Sequence, residues 1–223
     1  MLSFDGVSFH WLGHDGFLFE KGPLRIYIDP FRISGKMAKP ASLVLLTHEH
    51  FDHCSVEDLR KIVTRTTIIV CPQECLSVLG KVEPGEVIPI KPGEKRAVAG
   101  ITVAAVPAYN LNKYRDPATK TVFHPKQDEK NGYLLTLGST TVYHAGDSDA
   151  TPEMLAVKCD VALLPVSGTY VMTAEEAAGA AAKMKPKLAI PMHYGSIVGS
   201  DADARRFQEL LKGKADVKIL EKE

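Results

Sequence analysis

No stretch of the 223-residue chain approaches the ~18–20 consecutive apolar residues of a bilayer-spanning helix. Helical membrane insertion is thereby excluded. Net charge is also lacking: 27 Lys and Arg stand against 27 Asp and Glu. That balance gives no global attraction for nucleic acid or an anionic membrane, though a local basic patch is compatible with it. Cysteine is scarce, four in all, and Cys71 and Cys75 are one residue too far apart for a C-x-x-C redox or zinc motif. Their expected role is as small buried apolar side chains. The N-terminal residues offer neither the basic segment nor the apolar core of a signal peptide, which predicts a cytoplasmic protein.

What the chain does have is the composition of one globular domain, residues 1–223, with 45% hydrophobic and 24% charged residues. Its distinctive stretch is Thr47-His48-Glu49-His50-Phe51-Asp52-His53, an H-x-H-x-D-H pattern holding three of the chain's eight histidines. Folding alone does not ask for this density, whereas imidazole and carboxylate are the usual ligands of zinc and similar ions. Alternate residues of an extended backbone share a face, so His48 and His50 can point one way. A following turn lets Asp52 and His53 address a neighbouring point, and one stretch then serves two ions. An apolar run, 42–46, precedes the motif and an amphipathic helix capped by Ser55 follows it. Cys54 directly follows His53 and is read as buried, with a place beside the metal as the alternative.

Short strands are expected at 7–12, 17–20, 24–28 and 67–71, then at 85–90 and over 96–106 as a single strand. Residues 107–131 are polar, contain three prolines and show no periodicity. A connection this long is read as a substrate loop, with a disordered excursion as the alternative. It carries Tyr109, Asn110, Lys113, Tyr114, Arg115, His124 and Lys126, and its Arg and Lys suit an anionic group. A hairpin is predicted around Gly138-Ser139, ending in Asp147, a carboxylate just past a strand; Asp149 reads better as a turn residue. Thr151-Pro152 and the Thr173–Glu176 capping box open helices. His193 follows a buried strand at 188–192, and a helix at 201–212 and a closing strand at 217–220 complete the chain.

Taken together, H-x-H-x-D-H, the later His144-Ala145-Gly146-Asp147 and Pro191-Met192-His193 resemble the metallo-β-lactamase superfamily. Trp11-Leu12-Gly13-His14 resembles the opening of its branch of ascorbate-phosphate lactonases and other metal-dependent hydrolases. The resemblance implies an α/β (α+β) fold, a four-layer αββα sandwich of two mixed sheets packed face to face with helices outside. It implies two divalent ions, Zn or else Mn, Ni or Fe, held by His14, His48, His50, Asp52, His53, Asp147 and His193, with Asp147 bridging. Asp52 would orient or deprotonate the attacking water, and Tyr194 would donate to the developing oxyanion. One departure stands out: no histidine occupies the neighbourhood of Tyr109-Asn110 where the family has its third ligand to the first ion. His124, Asn110 and His14 are the alternatives. Fewer imidazoles there would suit octahedral Mn or Ni.

The function expected from all this is hydrolysis of a small, anionic ester: a phosphodiester, a phosphorylated sugar or a lactone. The competing readings are a non-catalytic metal-binding or sensing module and a nuclease. No nucleic-acid or membrane partner is expected, and association into homo-oligomers is open.

Overall fold

Period-two alternation divides the apolar runs of the first half between two faces, as the pleat of a β-strand requires. Phe9, Phe17, Phe19, Ile26, Ile28, Leu43 and Leu45 enter one core, while the intervening Leu18, Tyr27 and Val44 enter another. The computed structural model describes residues Met1–Glu223. The first sheet holds β1 (Leu2–Phe4), β2 (Val7–Gly13), β3 (Gly16–Lys21), β4 (Leu24–Ile28), β5 (Leu43–Leu45), β6 (Ile68–Cys71) and β7 (Glu86–Pro89), in chain order. β1 to β4 pair antiparallel and β4 to β7 parallel.

The second half repeats that plan. β8 (Lys95–Val98) and β9 (Ile101–Pro107) form a hairpin, and β10 (Tyr114–Asp116) with β11 (Thr121–Val122) a small separate ribbon. β12 (Asn131–Leu137), β13 (Thr140–His144), β14 (Val161–Pro165), β15 (Leu188–Met192) and β16 (Asp216–Val217) complete a second seven-stranded sheet, ordered β16-β15-β14-β13-β12-β9-β8. Its antiparallel half again passes into a parallel half at β13 and β14.

One continuous apolar core joins the inner faces of both sheets: Phe9, Phe19 and Leu45 from the first share it with Val103, Leu135 and Val142 from the second. Helices cover the outer faces. α1 (Val56–Ile62) and α2 (Leu76–Leu79) pack Leu59, Ile62 and Leu79 against the first sheet. On the second, α3 (Pro152–Ala156) lies near β9, α4 (Ala174–Met184) on β14 and α5 (Asp201–Leu210) on β15. The sandwich of two mixed sheets with outer helices matches the expected fold. No helix is long and apolar enough to cross a membrane.

The caps appear where the sequence signals them. Ser55 accepts from Asp58 N, Thr151 from Met154 N, and Thr173 with Glu176 makes a reciprocal capping box. Three expectations need correction. Residues 96–106 are a hairpin, not one strand, because Ala99 and Gly100 adopt φ of 49° and 78° and reverse the chain. The closing strand is confined to Asp216–Val217, where β15 offers a pairing edge. Residues 107–131 are no featureless loop, since they contain the β10–β11 ribbon.

Candidate metal centre

The H-x-H-x-D-H stretch leaves β5 and turns sharply before α1. His53 N and Cys54 N both donate to His50 O, at 3.0 and 2.7 Å, which curls the chain over its own imidazoles. Asp29, at the end of β4, fixes the base of this turn: Thr47 N donates to its Oδ1 at 2.8 Å and Thr47 Oγ1 to its Oδ2 at 2.5 Å. Nε2 of His48 thereby lies 2.9 Å from Nδ1 of His50. His124 joins this pair, and the ligand atoms of the three imidazoles lie within 4.8 Å of one another. Asn110 delivers it: Asn110 N donates to His124 O, and His124 N to the Asn110 side-chain oxygen, at 2.8 and 2.9 Å. Asn110 itself is a positioning residue, its amide nitrogen donating to Tyr170 O.

A second group forms beside the first. His14 and His193 sit in left-handed backbone, φ 52° and 59°, a conformation that non-glycine residues rarely adopt. His193 N donates to His14 O, joining the ends of β2 and β15 across the two sheets. His14, His53 and His193 are all buried, with ligand atoms within 4.8 Å of one another. Asp52 Oδ2 lies 3.1 Å from His14 Nε2 and 3.8 Å from His53 Nε2.

Asp147 connects the groups. Its Oδ1 stands 3.4 Å from His53 Nε2 and 3.2 Å from His193 Nε2, while its Oδ2 stands 3.6 Å from His124 Nε2. The preceding Gly146 makes this approach possible. Its φ is +61°, and a Cβ there would meet Asn131 O at 2.8 Å.

Hydrogen bonds behind the imidazoles select their tautomers. His53 Nδ1 donates to Asp29 Oδ2 at 2.8 Å. Thr47 Oγ1, already donating to Asp29, accepts from His48 Nδ1 at 3.0 Å. Ser167 Oγ, which donates to Thr169 O, accepts from His193 Nδ1 at 2.9 Å. With Nδ1 of each ring engaged from behind, Nε2 is the nitrogen aimed into the cluster, and it is the one a metal would bind after displacing any proton there. Buried His53 Nε2 and Asp147 Oδ1 have no hydrogen-bond partner, as do both oxygens of buried Asp15. Orphaned buried lone pairs of imidazole and carboxylate are the donor set of a transition-metal site.

Charge agrees with geometry. Burial pushes Asp147 up, but His193 and His53 outweigh it and hold the carboxyl well below its usual range. Burial lowers His53, and Asp147 with Asp29 overrides this to raise it well above an ordinary histidine. His48 and His124 follow burial, His124 down to about 4. A carboxylate held charged is thus packed among imidazoles where water cannot screen it, and a cation there would take the place of the protons on His53 and His193.

Of the seven loop residues singled out from the sequence, only Arg115 and His124 line the cleft above this cluster, together with their loop neighbour Phe123 and with His50, Phe51, Asp52, Asp147, Tyr170 and Ile197. Tyr109 is buried and donates to Glu153, whose other oxygen holds Lys126 at 2.6 Å. Lys113 is taken up by Asp149 and Glu176. Tyr194 faces elsewhere, which corrects its expected place at the site. Its ring stacks on Trp11 at 4.8 Å and lines a separate cavity with Gly13, Arg205 and Leu220. His124 also supplies the first group with a third imidazole, so the ground for expecting an oxygen-rich ion there disappears. Cys54 is buried in the core under α1. Sequence reasoning missed Asp15, Asp29, Thr47 and Ser167. Of these only Asp29, a carboxylate ending a strand as Asp147 does, carried a readable signal.

Comparison with known proteins agrees with this architecture. The family profile described as Beta-lactamase superfamily domain matches residues 8–193. A protein of Thermoplasma acidophilum, named a metal-dependent hydrolase, is 34% identical over 92% of this chain and 91% of its own. One of Methanosphaerula palustris, named likewise, is 31% identical over 94% of each. The crystal structure of a metal-dependent hydrolase from Parabacteroides distasonis superposes with a TM-score of 0.81 at 29% identity, covering 96% of this chain and 92% of that one. A metallo hydrolase of Ignicoccus hospitalis, 24% identical over 96% of this chain and 95% of its own, has the same fold with a TM-score of 0.77. With its profile match, its relatives and its sandwich in agreement, the chain belongs to the metallo-β-lactamase superfamily.

Proposed function

We propose that this metal-dependent hydrolase seats two divalent cations and uses them to cleave a small anionic ester, such as a phosphodiester, a phosphorylated sugar or a lactone. The observation that carries the reading is Asp147, with one oxygen toward His124 and the other toward His53 and His193. His48, His50 and His124 would hold one ion. Asp52, His53 and His193 would hold the other with Asp147 between them, and His14 and Asp15 would stand against it.

When bound, such ions supply Lewis acidity and an acidified water near neutral pH. Asp52 lines the cleft and is held on one side by His14. It orients the attacking water and accepts its proton. Attack at the carbonyl or phosphoryl centre breaks the ester bond, and Asp52 returns the proton to the leaving oxygen. Four free cysteines fit a reducing, cytoplasmic setting.

The test is metal analysis of the purified chain, followed by turnover of a phosphodiester, sugar-phosphate and lactone panel with Zn, Mn, Ni or Fe restored one at a time. A stoichiometry near two with metal-dependent turnover is expected. A single ion without turnover on any substrate would overturn the reading.

A further inference from the structure

Six large hydrophobic side chains of the whole protein are exposed, and three of them, Phe51, Tyr170 and Ile197, line the one cleft above the imidazole cluster. Singly exposed apolar residues are ordinary, but a concentration at a concave site marks a binding surface. Phe51 is 68% exposed although its ring edge rests on Phe31 at 5.9 Å. Tyr170 is packed edge-on against Phe123 at 4.6 Å, so it is held in place without being covered. Two exposed aromatic rings thus line one space of about 350 Å³, at the small end of ligand-sized clefts.

Arg115 projects from β10 into the same cleft. Its neighbours in the chain's basic loop are neutralised, Lys113 by Asp149 and Glu176 and Lys126 by Glu153. Arg115 makes no ion pair and no hydrogen bond with any group of the protein. The ribbon carrying it is fixed at its base by Phe123 N donating to Lys113 O and by the Asn110–His124 pairing. It is the one Lys or Arg of a cleft that also holds Asp52 and Asp147, and a planar guanidinium suits an oxyanion.

We propose that the cleft selects esters in which a flat apolar group lies beside an oxyanion, Phe51 and Tyr170 reading the apolar face and Arg115 the charge. This rests on the hydrolase reading and narrows its substrate class. A sugar phosphate, with no flat apolar face, is thereby disfavoured against an aryl phosphodiester or an aryl-bearing carboxylate.

Binding of unreactive probes to the metal-loaded full chain tests this without turnover. Phenylphosphonate, methylphosphonate and benzoate are titrated calorimetrically. Any contact of the phosphonate with metal is common to the first two, so their ratio isolates the aromatic walls. The expected result is phenylphosphonate binding about tenfold tighter than methylphosphonate, with Tyr170→Ala shrinking that ratio toward one. Arg115→Ala should weaken phenylphosphonate or benzoate, whichever binds tighter, by about tenfold, with only partial recovery in Arg115→Lys. A phenyl-to-methyl ratio near one in the parent, or Arg115→Ala affinities within about twofold of it, would overturn the assignment. Loss of all hydrolysis with these affinities intact would count against the hydrolase reading alone.

Discussion

Nδ1 of His53 donates to Oδ2 of Asp29 at 2.8 Å, and neither side chain reaches solvent. The same carboxylate holds Thr47, and through it His48. One residue therefore orients an imidazole of each group while touching neither group's centre. Asp29→Asn can offer a donor where an acceptor is needed, freeing His53 to adopt the wrong tautomer. Metal affinity, read by competition with a chelator, is expected to fall about 10–100-fold. An unchanged affinity would show that the tautomer is set elsewhere.

His124 is the test of the first group. His124→Ala removes one imidazole of three and leaves His53, His193 and Asp52 in place. Elemental analysis should show the bound metal dropping from about two ions per chain to about one, with turnover lost. Two tightly held ions in this variant would exclude His124 as a ligand.

That residue also marks where reading the sequence stops. His48, His50, Asp52 and His53 fall within one six-residue stretch, so their chemistry is visible without any fold. His193 was legible because it directly follows an apolar strand, and Asp147 because it stands just beyond one, after a glycine. His124 lies in a stretch without periodicity, and what brings it in is a pair of hydrogen bonds with the backbone and side chain of Asn110, fourteen residues earlier. Nothing in local composition announces such a pairing. Tyr194 fails for a related reason: adjacency to His193 in the chain says little about direction when His193 itself is in left-handed backbone. Strands and helix caps were easier to foresee, since their signals are local, whereas the two-sheet sandwich came only through the family resemblance. The 95–107 hairpin escaped because Ala99, unlike glycine or asparagine, does not advertise a positive φ.

Gly146→Ala should separate strain from chemistry. The added Cβ would press on Asn131 O in a backbone conformation that L-residues avoid. A loss of more than about 1 kcal/mol in denaturant unfolding is expected. Metal binding should weaken with it, since Asp147 is the next residue. Wild-type stability in this variant would mean that the turn relaxes freely.

Acid should loosen the junction of β13 and β14. Lys187, then Thr141 N and Oγ1, hold Asp160 down to about 2 from an ordinary 3.8. A carboxylate with a depressed value stabilises the fold fully above its unfolded value, and that contribution vanishes as pH falls from 3.8 toward about 2. Lys187 is exposed, so most of the effect belongs to the Thr141 bonds. Asp160→Asn should be less stable than the parent at neutral pH and approach it as acid is added. Parallel acid-unfolding curves would contradict this.

The inter-sheet bond from His193 N to His14 O has a thermodynamic consequence. His48, His50 and His53 belong to the first sheet's loops, and His124, Asp147 and His193 to the second's, so an ion seated among them would act as a rivet through the seam of the sandwich. Mass action then makes saturation and cohesion one quantity: a cation at 100 times its dissociation constant adds about 2.7 kcal/mol to the whole fold. Starvation for metal would pry the sheets apart at their rim, and the protein's lifetime in the cell would follow the ion supply.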